Sequence, residues 1–223
     1  LSVDAAKDIV NKGARMGAEG DVSLSAGRDV VFDTVEKRSG SSAETSESSI
    51  VSSKSTRTST YNVEQVKSEL SSGGNLTVKA KRDITLAGTD ASAKGSVGLD
   101  AGGDVNIVAR ENKTETITTS EKSGLFVGGG LYGTEKVQTD HEQTRNVGST
   151  ITAGKDVSLA AGKTVKIQGS GVDAKGNIDI AGEDVKILAG KDVDRTTTKK
   201  ETTAIFSITG PGEVTTSAEA NAG

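Results

Sequence analysis

Gly154-Lys155-Asp156-Val157-Ser158-Leu159-Ala160-Ala161-Gly162-Lys163-Thr164-Val165-Lys166-Ile167 decides the fold. It holds two apolar-x-apolar triplets, Val157-Ser158-Leu159 and Val165-Lys166-Ile167, each preceded by a short turn sequence. Gln168 to Gly176 follows, and then the same wording returns as Ile178-Asp179-Ile180 and Val185-Lys186-Ile187. Alternation with period 2 turns one set of side chains inward and the other outward, as in a strand. A single triplet buries too little to fold alone, so the pattern points to stacking.

The wording recurs upstream. Leu76-Thr77-Val78, Ile84-Thr85-Leu86 and Val97-Gly98-Leu99 meet the Val157, Val165 and Ile178 triplets at an offset of 81, and Val105-Asn106-Ile107 meets Val185-Lys186-Ile187 at 80. A partial earlier copy precedes them at an offset of 75: Asp8-Ile9 matches Asp83-Ile84, and Ala26-Gly27-Arg28-Asp29-Val30 matches Ala101-Gly102-Gly103-Asp104-Val105. Inside each copy the triplets repeat at a spacing of 21 or 20. That is the size of one coil of a parallel β-helix, in which every strand pairs with its equivalent one coil away. The expectation is an all-β solenoid of about five coils. Leu76, Val78, Ile84 and Leu86 stack on Val97, Leu99, Val105 and Ile107 in a thin aliphatic interior, with Ala87, Ala101, Ala160 and Ala161 in tight corners. Open ends of such a stack invite end-to-end self-association.

Composition agrees with a narrow core. Leu, Ile, Val and Phe make 47 of 223 residues, with 28 Gly, one Pro, one Met, no Trp and no Cys. A two-layer globular core needs more large apolar side chains; a solenoid saturates its backbone hydrogen bonds between coils and needs fewer. The formal net charge is −4, with 27 Lys/Arg against 31 Asp/Glu and no basic stripe, so nucleic acid is not an expected partner. No apolar run approaches the ~20 residues of a membrane helix. The chain opens inside patterned sequence, at Leu1-Ser2-Val3-Asp4, which reads as a piece of a longer array.

The rest of each unit is different in kind. Residues 33–72, 109–149 and 191–223 are excursions rich in Ser, Thr, Glu and Lys, set between coils at about 1–32, 73–108 and 150–190 of one β-helical repeat domain spanning 1–223. They are related: Ile50-Val51 meets Leu125-Phe126 at offset 75, and Leu125-Phe126 meets Ile205-Phe206 at offset 80. Two readings stand, a disordered polar linker and an extra-helical antiparallel β-hairpin. The abundance of Thr favours the hairpin. Polar arms at 111–123 and 134–146 flank a Gly-rich apolar turn, and Gly210-Pro211-Gly212 is placed to turn the third excursion.

Candidates for chemistry are few. Asp8, Asp21, Asp29, Asp83, Asp104, Asp156 and Asp184 precede strands, with Asp83 expected beside Asp104 and Asp156 beside Asn177. Paired carboxylates suit glycoside cleavage, but a residue repeated in every coil marks a structural rule, here an Asx hydrogen bond to turn backbone. Gly102-Gly103-Asp104 lacks the tandem spacing of calcium β-rolls, and His141 is the only histidine, too few for a histidine metal cluster or a triad. Gly128-Gly129-Gly130 lacks the Lys-Ser/Thr of a phosphate loop. Asn75-Leu76-Thr77 and Asn112-Lys113-Thr114 match the glycosylation triplet, which is common by chance. No catalytic, cofactor or metal residue is expected, and the chain is not expected to be an enzyme. The candidate interaction patch is Leu125, Phe126, Val127, Leu131 and Tyr132 with Ile205 and Phe206: either it folds back to bury itself or it faces a partner.

The repeats at 154–167 and 181–187 resemble the haemagglutinin repeats of filamentous haemagglutinin-type exoproteins. The Thr-rich segment ending in Lys122-Ser123-Gly124-Leu125-Phe126 is similar to inserts in that family's second repeat region, including contact-dependent growth inhibition effectors. The first excursion departs from the pattern, with Ile50-Val51 in place of Leu-Phe and no Gly-rich turn. The resemblance implies a right-handed parallel β-helix and two-partner secretion through an outer-membrane transporter. It also implies display at the bacterial surface, and contact with a target-cell or host surface through membrane association. It implies a stalk that serves toxin delivery, or alternatively an adhesin module; a β-helix polysaccharide-cleaving enzyme is the distant alternative.

Overall fold

Each coil-length run of sequence folds as three short strands in the computed structural model, which describes residues 1–206 and 215–221. In the first coil these are Ser2–Ala5, Ile9–Lys12 and Arg15–Ala18. In the third they are Leu76–Ala80, Ile84–Ala87 and Thr89–Ala93. Equivalent strands pair in parallel. Leu76 stands beside Val97, Val97 beside Val157 and Val157 beside Ile178. Ile84, Val105, Val165 and Val185 form the second row. Leu70, Ala91, Ile151 and Val172 form the third. Three parallel sheets result, of six, six and five strands. A path that visits the three in turn and then advances one coil is consistent with a parallel β-helix. There are five three-stranded coils, as the triplets predict, and a sixth represented by its first two strands, Ile178–Ala181 and Asp184–Leu188.

The third sheet is the part that the triplet pattern does not announce. Its inward positions include Ser68, Ser72, Thr89, Ala91 and Ala93, which are too small or too polar to read as apolar triplets. Ser68–Ser72 therefore falls inside the span 33–72 read as excursion, yet it pairs with Arg15–Ala18 on one side and Thr89–Ala93 on the other.

Two compact units account for the chain. The first comprises Leu1–Lys37, Glu64–Glu111 and Asn146–Lys191 and contains every buried apolar side chain among the described residues. Phe32, Leu24, Leu76, Leu86, Leu99 and Ile107 are fully enclosed. The second comprises Arg38–Val63, Asn112–Arg145 and Asp192–Gly223. It is a six-stranded sheet built from the three excursions, in the order Thr215–Asn221, Val193–Ile205, Tyr132–Val147, Arg110–Leu125, Ser52–Val66, Val35–Ser48. The expected turn at Gly210-Pro211-Gly212 lies outside the described residues.

The excursions leave the solenoid at one corner, in every second coil. In coils one, three and five the chain turns from second to third strand on Gly13, Gly88 and Gly169, with φ of +59°, +53° and +56°. Only glycine takes that conformation at no steric cost. In coils two, four and six the long strands starting at Val35, Arg110 and Val193 follow instead. An excursion thus stands where one left-handed glycine would.

A column of hydroxyls seals this corner. Ser68, Thr89 and Ser149 are buried to 0–1% exposure. Ser68 Oγ accepts the Gly13 N–H at 2.9 Å and donates to the Asp33 carbonyl at 2.6 Å. Ser149 Oγ accepts the Thr89 N–H at 3.0 Å and sits 3.0 Å from the Leu86 and Val108 carbonyls. Ser170 Oγ accepts the Ser149 N–H at 3.0 Å and donates to the Gln168 carbonyl at 3.0 Å. Strand ends buried at an irregular corner would otherwise leave polar backbone unpaired, at roughly 1–3 kcal/mol per group.

Candidate interaction surface

Six of the seven repeated aspartates accept backbone N–H groups; Asp184, in the last coil, instead lies 3.7 Å from Lys186 Nζ. Before the second strands, Asp8 Oδ1 accepts the Asp29 N–H, Asp29 Oδ1 that of Asp83, Asp83 Oδ1 that of Asp104, and Asp104 Oδ1 that of Thr164, at 2.9–3.3 Å. Before the first strands a second ladder runs from Asp21 to the Asn75 N–H, from Asn75 to Ser96, and from Asp156 to Asn177, at 2.6–2.9 Å. Each side chain reaches one coil forward. This is the Asx role that the repetition suggested, and it explains why Asp and Asn recur at the coil period.

Arginine reinforces one ladder. Arg28 pairs with Asp8, Arg82 with Asp29, and Arg110 makes a two-pronged bond to Asp33 at 2.8 and 2.7 Å. Burial pushes the Asp33 carboxyl up, but the Arg110 guanidinium and the Thr34 N–H outweigh it, so Asp33 titrates below its ordinary value of 3.8. A depressed folded pKa gives stability that is complete above the unfolded pKa and is lost as pH falls through the folded one. Arg110→Gln is therefore expected to lower Tm by a constant amount above about pH 5, with the gap to the native chain shrinking from about pH 4 downward. A gap independent of pH down to about 2 would show that the pair does not depend on the Asp33 charge.

The second unit has no buried apolar side chain among its described residues, and its faces are polar. Hydroxyls meet across the strands: Thr58 with Thr118 at 3.4 Å, Thr60 with Thr116 at 3.5 Å, Ser53 with Ser123 at 2.8 Å. His141 is one of these rungs, its Nδ1 3.0 Å from Thr196 Oγ1 and 3.5 Å from Asp194 Oδ1. Charged pairs alternate with them, including Glu135 with Lys200 at 2.8 Å and Glu121 with Lys136 at 3.1 Å. A groove of about 530 Å³ on this unit is lined by Ser53, Ser55, Glu121, Lys136, Glu201 and Thr203, among others.

The apolar residues gather at one end of the sheet. The Leu125 N–H donates to the Val51 carbonyl at 3.0 Å, Phe126 N–H to Leu131 at 3.2 Å, and Leu131 N–H to Ile205 at 3.1 Å. Strand ends from all three excursions thus align in one row. Phe126 is 78% exposed and Phe206 80%, and Ile50, Val51, Leu125, Leu131, Tyr132 and Ile205 are exposed as well. Val127 is half-buried. Phe126 and Phe206 also hold left-handed backbone, with φ of 62° and 57°, and are the only non-glycine residues with positive φ among those described. Gly128 and Gly129 share that region, which suits a turn; Gly124 sits so close to Val51 and Ser52 that a side chain there would collide with their backbone.

A model of the hemagglutinin repeat family matches residues 49–139 and 131–223. The chain belongs to this family. Among curated proteins it is 32% identical over 205 residues to the "16S rRNA endonuclease CdiA" of Enterobacter cloacae. It is 35% identical over 190 residues to a "tRNA nuclease CdiA" of Escherichia coli. These alignments cover 84% and 78% of the chain but 6% of either relative. A "Hemolysin" of Proteus mirabilis is 28% identical over 145 residues, covering 60% of the chain and 9% of that protein. No solved structure gives a significant match. The hemagglutinin repeat family is a repeat region of two-partner secretion exoproteins of the filamentous haemagglutinin type, which are secreted and exposed at the cell surface. The chain is such a repeat segment.

Proposed function

We propose that this segment is a stalk that presents contact residues to the outer membrane of a target cell during toxin delivery in contact-dependent growth inhibition. In this reading the coil is right-handed, the excursions are extra-helical hairpins, and residues 1–223 act as one repeat domain. The observation that supports contact is the row of tips ending in exposed Phe126 and Phe206. The chain has three phenylalanines, and two of them are exposed in left-handed backbone. Such conformations cost of order 1–3 kcal/mol each and are kept where surrounding structure and function require them. Apolar side chains framed by Ser, Thr and Lys suit insertion at a lipid interface. Ladders that link only neighbouring coils support the stalk role: a chain of this kind can cross a secretion transporter unfolded and then fold coil by coil.

Flotation of the 223-residue chain with outer-membrane vesicles tests the tips. Phe126→Asn with Phe206→Asn removes both rings while keeping a residue that tolerates left-handed backbone. Each ring is worth about 1.5–3 kcal/mol when fully buried, so the double variant should bind at least tenfold more weakly with an unchanged circular dichroism spectrum. Equal binding by the variant would rule the tips out as the contact. An adhesin module is the second reading, favoured by the polar groove, whose hydroxyl and charged lining suits a glycan better than lipid.

A further inference from the structure

The sheet of the second unit contains the same joint twice. Ser52–Val66, the returning strand of the first excursion, pairs antiparallel with Arg110–Leu125, the outgoing strand of the second. Tyr132–Val147, the returning strand of the second, pairs antiparallel with Val193–Ile205, the outgoing strand of the third. The registers are equivalent: Gly124 faces Ser52 in one joint, and their counterparts at offsets of 80 and 81, Ala204 and Gly133, face each other in the other. The outer strands of the sheet are Val35–Ser48, an outgoing strand, and Thr215–Asn221, a returning one. Each carries one half of a joint that the sheet has already made twice.

The outer strand Val35–Ser48 is fitted for the missing half. It is exposed along its whole length, and it contains no proline and a single glycine, Gly40. At an offset of 75, Ser41, Thr45 and Ser48 stand where Thr116, Ser120 and Ser123 stand in Arg110–Leu125. Those three meet Thr60, Thr56 and Ser53 across the existing joint, at 3.5, 3.5 and 2.8 Å. This edge therefore carries hydroxyls at the three rung positions of the existing joint. Polarity of the backbone agrees. The Ser49 N–H donates inward to the Ser52 carbonyl at 2.7 Å, so with antiparallel alternation the N–H groups of Ser42, Glu44 and Ser46 point away from Ser52–Val66. Leu125, the counterpart of Ile50 at the same offset, donates its N–H into the existing joint at 3.0 Å.

We infer that the Ser39–Thr45 edge accepts the returning strand of another hemagglutinin repeat, and that in the 223-residue chain a second copy supplies it through Thr215–Asn221, with Thr215 opposite Thr45 and Asn221 opposite Ser39 in the equivalent register. The contact is head-to-tail, so it does not close on itself and extends the antiparallel sheet from copy to copy. It uses backbone ladders, and so differs from stacking through the apolar ends of the solenoid.

Sedimentation velocity on the 223-residue chain over rising concentration reads the association directly. The native chain should exceed its 22.7 kDa monomer mass progressively. Ser42→Pro with Glu44→Pro removes two outward N–H donors and leaves the inward ladder to Ser52–Val66 intact, because proline is tolerated where an edge strand faces solvent. That variant should stay monomeric with an unchanged circular dichroism spectrum. Exposed Ile178, Val185 and Ile187 mark the other route, and Ile187→Lys should leave the association unchanged. The inference is overturned if the native chain is monomeric throughout, if the proline variant associates like the native chain, or if Ile187→Lys abolishes association.

Discussion

Phe32→Ala is expected to destabilise the solenoid by about 3–5 kcal/mol, the usual cost of emptying a buried aromatic site. Phe32 is fully enclosed and is the largest of the enclosed side chains. Its neighbours one coil away are Leu86 on one side and Asn11 on the other. Asn11 is buried too, its Oδ1 accepting the Ala14 N–H at 3.2 Å and lying 3.0 Å from Ser68 Oγ, so it is held in place. The backbone cannot collapse either, since its strand is laddered to both adjacent coils. Such a site relaxes little, which puts the cost at the upper part of the range. Phe32→Leu should cost far less, because most of the volume stays. Urea unfolding with both variants checks the numbers. Coupling runs only between neighbours, so amide exchange should rise in coils one to three and change little around Ile151 and Ile167. A loss below about 1 kcal/mol for Phe32→Ala would mean that the interior row carries less of the stability than the ladders do.

The two rows of apolar triplets were legible because each presents Val, Leu or Ile at i and i+2, and because like triplets return at a spacing of 20 or 21. Leu76, Val97 and Val157 pair as that period requires. The third row was not legible for a physical reason: at its corner Ser68, Thr89 and Ser149 serve backbone carbonyls where an apolar side chain would leave them unpaired. A signal existed, since the step from Ser68 to Thr89 and the step from Ser149 to Ser170 both equal the coil spacing of 21. Hydroxyl residues are too common in the excursions for that spacing to stand out. The aspartates were read as turn residues, and the ladders to Asp29, Asp83 and Asp104 N–H groups give that reading its atoms. The exposure of Phe126 and Phe206 could not be read, because an apolar turn looks the same in sequence whether it is covered or bare.

Cutting out residues 109–148 and joining Val108 to Ser149 through one glycine is expected to leave the solenoid folded while removing vesicle binding. The equivalence of the corners dictates the splice. Ala87 pairs with Val108, and Thr89 donates its N–H to Ser149, so Ala87-Gly88-Thr89 is the template for Val108-Gly-Ser149. Gly88 turns this corner with φ of +53°, and the inserted residue must do the same, which is why glycine serves and alanine would not. The buried apolar side chains all lie outside the deleted span, so the core loses nothing. Asp33 loses Arg110, which it met at 2.7 Å, and the splice should carry the same loss above about pH 5 as Arg110→Gln. The central pair of strands in the antiparallel sheet disappears with Leu125, Phe126, Leu131 and Tyr132, and the remaining excursions lose the neighbours to which they are laddered. A lone two-stranded ribbon is marginal in water, so the sheet should not survive as a unit. Circular dichroism and thermal unfolding read the first half of the expectation, and flotation with outer-membrane vesicles reads the second. A chain that fails to fold would show that the excursion is part of the solenoid's stability, and a folded chain that still floats would move the contact surface away from the tips.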